Sequence, residues 1–221
     1  MDSFPVTNTQ NGEEKLAVAF AEGEPYTMQD ETHDDNDNDV SSIKVSAKSN
    51  PRLTAGSIAH AVRRGDSPRV ICTGATSLNQ AVKAIAVART FLESDKIAII
   101  VSADFRDAPH RMRAVFLISR STEADQEVVE GAELRVAHSS AFSVVAGAIA
   151  KKVRAGEKPI MTAIGGAAVA ISIRSLVRAR LYLKQDNIDV VFRPQFVHVQ
   201  AKEETRSALR FTIYPSPITG A

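Results

Sequence analysis

Three groups of residues in this chain have the types and spacing to contact an anion. Lys48, Ser49 and Asn50 sit immediately before Pro51, where a helix is expected to begin. Backbone N–H groups at a helix start point outward and meet phosphates readily. The competing reading is a helix cap beside an exposed lysine. Asn79, Gln80 and Lys83 form the second group. Their spacing of three and four residues puts all three on one face of a helix, interrupting a run that is otherwise apolar. They either bridge a surface between two domains or reach a polyanion, and both hold if a binding groove straddles that surface. The third group lies in the charged connection 102–113, where Arg106, His110, Arg111 and Arg113 outnumber Asp104 and Asp107. A basic arm of this kind touches phosphates along a duplex.

These groups belong to a repeated frame. Ile43–Ser49 lies over Leu134–Ser140 at an offset of 91 residues. Ala55-Gly56 then falls on Ala146-Gly147, Gly65 on Gly156, Pro68 on Pro159, Gly74 on Gly165 and Arg89 on Arg180. Matched Gly and Pro positions mark shared backbone geometry rather than shared composition. Each copy reads β-α-β-α-β-β. In the first copy strands are expected at Ile43–Ala47, Val70–Thr73, Ile97–Val101 and Arg111–Ser119. Helices are expected from Asn50 to Arg64, capped by Asn50 and stopped by Gly65, and over Ser77–Glu93. The second copy gives Glu133–Ala137, Phe142–Arg154, Pro159–Ile164, Val169–Gln185, Ile188–Phe192 and Ala208–Tyr214. Its last strand aligns at an offset of 95, placing Phe116 on Phe211 and Ile118 on Ile213. The pattern implies one mixed sheet per copy with both helices on one face. Such halves can form within one chain the pseudo-dimer that single domains form between chains.

Charge separates the frame from what precedes it. Residues 1–42 hold 11 acids and a single base, Lys15. Removing these from 27 bases and 26 acids in the whole chain leaves 26 bases against 15 acids, a net of +11 for the rest. A basic body favours a polyanionic partner, and nucleic acid is the leading one. The acidic stretch reads as disordered, and within it Glu14–Glu22 is either one amphipathic turn of helix on a partner or, the favoured reading, an accidental apolar patch. Its acids would compete with nucleic acid for the basic body. The organisation expected is therefore a tail over 1–42, domains over 43–120 and 133–216, a linker over 121–132 and a short tail over 217–221.

Ile43–Pro51 (IKVSAKSNP), Ala55-Gly56 and Thr73–Arg89 (TGATSLNQAVKAIAVAR) resemble the stage V sporulation protein S family, a bacterial group with an Alba-like fold. The resemblance implies an α/β two-layer architecture of two Alba-like domains in tandem, contacts through equivalent faces, and nucleic-acid binding. It assigns the binding surface to Lys48, to Asn79, Gln80 and Lys83, and to Arg106, His110, Arg111 and Arg113. The second copy departs from the pattern. Leu78–Lys83 becomes Val169–Arg174, so that Arg174 keeps the charge of Lys83. The turn corresponding to Lys48 offers His138, mostly neutral at pH 7. The longer second arm, 193–206, mixes Arg193, Lys202 and Arg206 with Glu203 and Glu204 and reads as a solvated loop. Arg89 and Arg180 are expected to cover apolar surface with their stems or to pair with nearby acids.

Other chemistries find no support. Gly74 and Gly165-Gly166 precede helices without GxGxxG or GxxxxGK[ST]. Asp35, Asp37 and Asp39 imitate the start of a calcium loop, but Val40 stands at the glycine position. Five scattered histidines and one cysteine make no metal constellation, and Cys72 belongs to an apolar strand. The expectation is a non-enzymatic protein without metal, cofactor or small-molecule substrate, whose partners are DNA or RNA and, in some assemblies, further copies of itself. No apolar run reaches spanning length and no secretory signal is evident. A cytoplasmic or nuclear location follows. The rival is a scaffold or assembly protein that uses its Ala/Gly-rich helices for protein contacts.

Overall fold

The computed structural model describes residues 41–108, 111–121, 133–201 and 204–217. The acidic segment, the linker after Ser121, His110, Lys202 and Glu203 lie outside the described residues. The first repeat comprises β1 (Ser42–Val45), α1 (Pro51–Arg64), β2 (Arg69–Thr73), α2 (Ala75–Glu93), β3 (Ile99–Ala108) and β4 (Arg111–Arg120). The second comprises β5 (Glu133–Val136), α3 (Phe142–Arg154), β6 (Ile160–Ala163), α4 (Gly166–Lys184), β7 (Ile188–Ala201) and β8 (Glu204–Pro217).

The local signals work as expected where they are strongest. Asn50 Oδ1 accepts from Arg52 N at 2.9 Å and from Leu53 N at 3.4 Å, capping α1 ahead of Pro51. Gly65 ends the helix at φ +99°, a left-handed conformation that favours glycine. The shifted offset of the last strand is also correct. Val70 pairs with Phe116, and Met161, 91 residues on, pairs with Phe211. Both phenylalanines are fully buried.

Two features differ from the expectation. β3 and β7 do not end at Val101 and Phe192 but run on to Ala108 and Ala201, paired with β4 and β8. Alternation in Phe105-Arg106 and in Phe196-Val197-His198-Val199 suits a pleated ribbon, and charge on a solvent-facing arm does not oppose pairing. The sheets, moreover, are not separate. The eight strands form one mixed sheet in the order β1-β2-β4-β3-β7-β8-β6-β5.

The join is between β3 and β7, antiparallel, with Val101 opposite Phe192. These residues are 91 apart, so the same position of each repeat meets its own counterpart. In a lone repeat β3 would be an apolar sheet edge with unpaired backbone groups. Pairing covers it, and Val101 and Phe192 are both buried. Two arginines cross this seam. Arg89 Nη1 donates to the Pro194 carbonyl at 3.0 Å, and Arg180 Nη1 donates to the Ala103 carbonyl at 2.6 Å. Donors and acceptors are again each 91 residues apart. Arg180 also grips Asp189 with both Nε and Nη2, at 2.6 and 2.8 Å. It therefore pairs with an acid as expected, while its reach to the other repeat was not foreseen.

A symmetric clamp closes the far end of each helix pair. Arg63 binds Asp95 and the Phe91 carbonyl, and Arg154 binds Asp186 and the Tyr182 carbonyl. Cys72 lies in the core of β2, where burial pushes its thiol from 9.0 up to about 12.

Arg180→Leu removes the seam bond and leaves Asp189 unpaired, and should cost about 2–3 kcal/mol in urea denaturation. Protection of the Val101 and Phe192 amides from exchange should fall with it. Because Cys72 holds its proton more tightly folded than unfolded, its contribution is full below about 9 and fades as pH rises toward about 12. A denaturation series across that window should show falling stability in the wild type, less so in Cys72→Ala.

Candidate nucleic-acid interface

β1 and β2 are parallel and end together, with Val45 beside Cys72. The turn into α1, the junction into α2 and the β3–β4 arm all leave from this end of the first repeat. In the turn, Ser46 N donates to Ser49 Oγ at 2.9 Å, Ser49 N donates to the Ser46 carbonyl at 3.1 Å, and the two hydroxyls lie 3.2 Å apart. The Ser49 hydroxyl and the Asn50 carbonyl oxygen are thus committed to the turn and the cap. Lys48 remains exposed at the crest. Position for position its counterpart is Ser139, and His138 corresponds to Ala47, so the second turn carries no equivalent of the lysine.

Gly74 joins β2 to α2 at φ +88°, ψ 162°, and caps the helix without a side-chain bond. Ser77 Oγ donates back to the Thr73 carbonyl at 2.8 Å. Further along α2, Asn79 faces the other repeat. A Cβ placed on Gly166 would lie 3.3 Å from Asn79 Nδ2. Of the two readings of the Asn79, Gln80 and Lys83 group, Asn79 falls on the contact between repeats. Gln80 and Lys83 are half-buried on the same helix. Arg174, the counterpart of Lys83, is held differently: its guanidinium stacks 4.0 Å over the Phe142 ring, and burial lowers its pKa. Its charge is directed at an aromatic face at the start of α3.

The arm carries the most concentrated charge. Arg106 on β3 stands directly opposite Arg113 on β4, and Arg113 stands opposite Thr73 on β2. Arg106 is exposed and Arg113 half-buried. Neither makes an ion pair among the described residues. Arg111 begins β4 opposite Ala108. The neighbouring row, Val45, Cys72, Ala114 and Phe105, points toward the helices, so alternation puts Arg106 and Arg113 on the opposite face. Lys44, exposed on β1, shares that face. It went unnoticed in the sequence, although its place two residues from Ser42 in a half-buried strand could have marked it. The expected site residues therefore do not form one cluster. Lys48 is at the strand end, Arg106 and Arg113 are on the helix-free face, and Lys83 is on the helical side.

Arg193 is corrected outright. It does not lie on a solvated arm. It is 2% exposed in β7, with Nη2 donating to Ser121 Oγ at 2.8 Å and its guanidinium 4.8 Å from the Tyr214 ring centroid. It is a buried structural arginine, and a phosphate has no access to it. The rest of the second repeat has lost the polar end. Val197 opposite Ala208 replaces Arg106 opposite Arg113, Ile164 replaces Thr73, and Ala170 and Ile171 replace Asn79 and Gln80.

Among the described residues no three His, Cys, Asp or Glu side chains gather to hold a metal, and no helix is long and apolar enough to cross a membrane. The Gly74 junction makes a direct demand on sequence. Gly74→Ala meets no neighbour within 4 Å, yet its backbone conformation is one that side chains rarely adopt. It should cost about 1–3 kcal/mol in chemical denaturation.

The sequence signature of the stage V sporulation protein S (SpoVS) family matches residues 41–113 and again residues 132–216. The two matches cover most of the chain, the first running from β1 to the start of β4 and the second from β5 into β8. The duplicated frame, its shared junction glycines and its family signature lead to one conclusion: the chain belongs to the stage V sporulation protein S (SpoVS) family, as a tandem duplication.

Proposed function

We propose that this protein binds nucleic acid, DNA or RNA, through phosphates and with little reading of sequence, as a non-enzymatic pseudo-dimer acting in the cytoplasm or nucleus. The observation that carries the reading is the Arg106–Arg113 pair. Like charges directly opposite in an antiparallel ladder destabilise it. Two guanidiniums held there, with no ion pair among the described residues, are suited to an anion that bridges them. Lys48 and Lys44 extend the positive surface toward the sheet edge. Lys83 adds charge on the helical side.

Low sequence specificity follows from composition. The chain has no Trp and only 5% aromatic residues, too few for a base-stacking platform. A grip on phosphates alone weakens steeply with salt as counterions are released. The polar end belongs to the first repeat only, so one half of the pseudo-dimer supplies the contact.

One observation favours the second reading, a scaffold. The corresponding end of the second repeat is apolar, a surface suited to protein rather than phosphate.

The test is fluorescence anisotropy against duplex DNA, duplex RNA and single strands over a salt series. Lys48→Glu with Lys83→Glu should lower affinity at least about tenfold and flatten the salt slope. Arg113→Ala should weaken binding several-fold while leaving stability unchanged or raised by a few tenths of a kcal/mol. Equal binding by folded variants would favour the scaffold.

A further inference from the structure

Ser121 and Glu133 fix where the connection between the repeats must run. β4 is the third strand of the sheet and β5 the eighth, so residues 122–132 pass β3, β7, β8 and β6. Five strand spacings are about 24 Å, and twelve residue steps reach at most about 40 Å. A route over the helices adds their thickness twice, about 20 Å, and is longer than that reach. β7 and β8 run on past this level as the second arm, which closes the way around the strand ends. The helix-free face is the route that remains.

Strand register puts both ends of the connection on one row of that face. Met161, Ala163, Leu209 and Phe211 turn toward the helices, so their neighbours in sequence turn away from them. Glu133 stands beside Ile160, Ile160 beside Thr212, and Thr212 beside Arg193. Past the seam the row continues to Ile100 and Ser119, and Ser121 follows two residues on. Ser121 Oγ accepts from Arg193 Nη2 at 2.8 Å. This row is buried although it carries no helix. Thr212 is 6% exposed, Ile160 4%, and Tyr214, next to Thr212 on the same face, 7%. The equivalent row of the first repeat is more open. Leu117, the counterpart of Thr212, is 38% exposed, and Arg69 and Ser102, the counterparts of Ile160 and Arg193, are half-buried. One backbone plan with two degrees of burial means that the second repeat has a cover which the first lacks.

The chemistry of the connection matches what it would meet. Residues 122–132 hold Glu123, Asp125, Glu127 and Glu130, no base, and the apolar pair Val128-Val129. The buried row offers Ile160 and the Tyr214 ring, with Lys158 Nζ 5.4 Å from the ring centroid. Arg210 lies on the same face, and its Nε is buried with no hydrogen-bond partner among the described residues. A buried donor left without an acceptor is costly, and a carboxylate passing over it supplies a charge-assisted one.

We propose that residues 122–132 dock across the helix-free face of the second repeat, over Ile160, Thr212 and Tyr214, with carboxylates turned to its cations. A partner approaching the sheet from this side then meets the first repeat. The proposal does not depend on what the first repeat binds.

The test is thiol accessibility in the full chain carrying Cys72→Ala. With Thr212→Cys added, the new thiol should react slowly with a maleimide. Replacing residues 122–132 by a Gly/Ser segment twice as long should speed that reaction at least about tenfold. Ala163→Cys, on the helix-facing side of β6, should stay unreactive with either connection, which shows that the second repeat remains folded. Deleting residues 1–40 should leave the Thr212→Cys rate unchanged. A benzophenone amino acid in place of Val128, with the native connection otherwise intact, should crosslink on irradiation to peptides containing Ile160 or Tyr214. If Ala163→Cys also opens, this crosslink decides alone. Rapid labelling with the native connection, or equal rates with both in a folded protein, would overturn the proposal. So would faster labelling after deletion of residues 1–40, which makes the acidic tail the cover, or a failure to crosslink to either peptide.

Discussion

The structure depends on an exchange of arginines across a strand seam. β3 and β7 meet at a single self-equivalent point, Val101 against Phe192. That contact alone is a narrow hinge between two four-stranded halves. Arg89 and Arg180 widen it, each leaving its own helix to hold a backbone carbonyl of the other repeat. A guanidinium suits this task because its planar fork holds two partners at once and keeps its charge in partly buried surroundings. Arg180 does so, reaching Ala103 with one nitrogen and Asp189 with two others. The carbonyls thereby satisfied lie where β3 and β7 diverge, and an unmade bond there would be costly.

Once the seam is fixed, the two repeats are free to diverge wherever they do not carry it. They retain the glycines at the helix junctions, the Arg–Asp clamps and the buried phenylalanines. They differ in the side chains at the strand end where β1 and β2, and β5 and β6, stop together. The first repeat places Lys48, Thr73, Arg106 and Arg113 there, and the second places Ser139, Ile164, Val197 and Ala208. Two surfaces of different chemistry are thus built on one backbone plan, and the fold does not dictate which of them a given end will present.

Element order, helix caps and the repeat offset were legible in the sequence because each rests on local physics. Asn50-Pro51 starts a helix, Gly65 ends one, and 3.6-residue spacing marks the buried side of α2. The single sheet was not legible, since an apolar strand such as Ile97–Val101 does not say which partner will cover its open edge. The second arm was misread as a solvated loop, and the strand of the first was ended too early, because charged residues conceal strand alternation when both faces of a ribbon meet solvent. Arg193 was misassigned for a related reason: a lone arginine in a mixed run looks solvated unless the Tyr214 ring and Ser121 hydroxyl that enclose it are known. Of the candidate site, the positions of Lys48 before a helix start and of Arg106 and Arg113 on one arm were legible. That they sit on different faces is a matter of strand register, which no local pattern carries.

The close approach of Gly166 to Asn79 gives the halves distinct identities. Were two first repeats to pair, Ala75 would stand at the glycine position, and its methyl would crowd the opposing amide at 3.3 Å. Ala98 would also replace Asp189, leaving neither crossing arginine its acid. Were two second repeats to pair, Ala170 would face glycine and leave a gap where the amide now fills the space. The present match is therefore heterotypic. Asn79 of one half meets Gly166 of the other, so the seam that joins the two repeats also tells them apart.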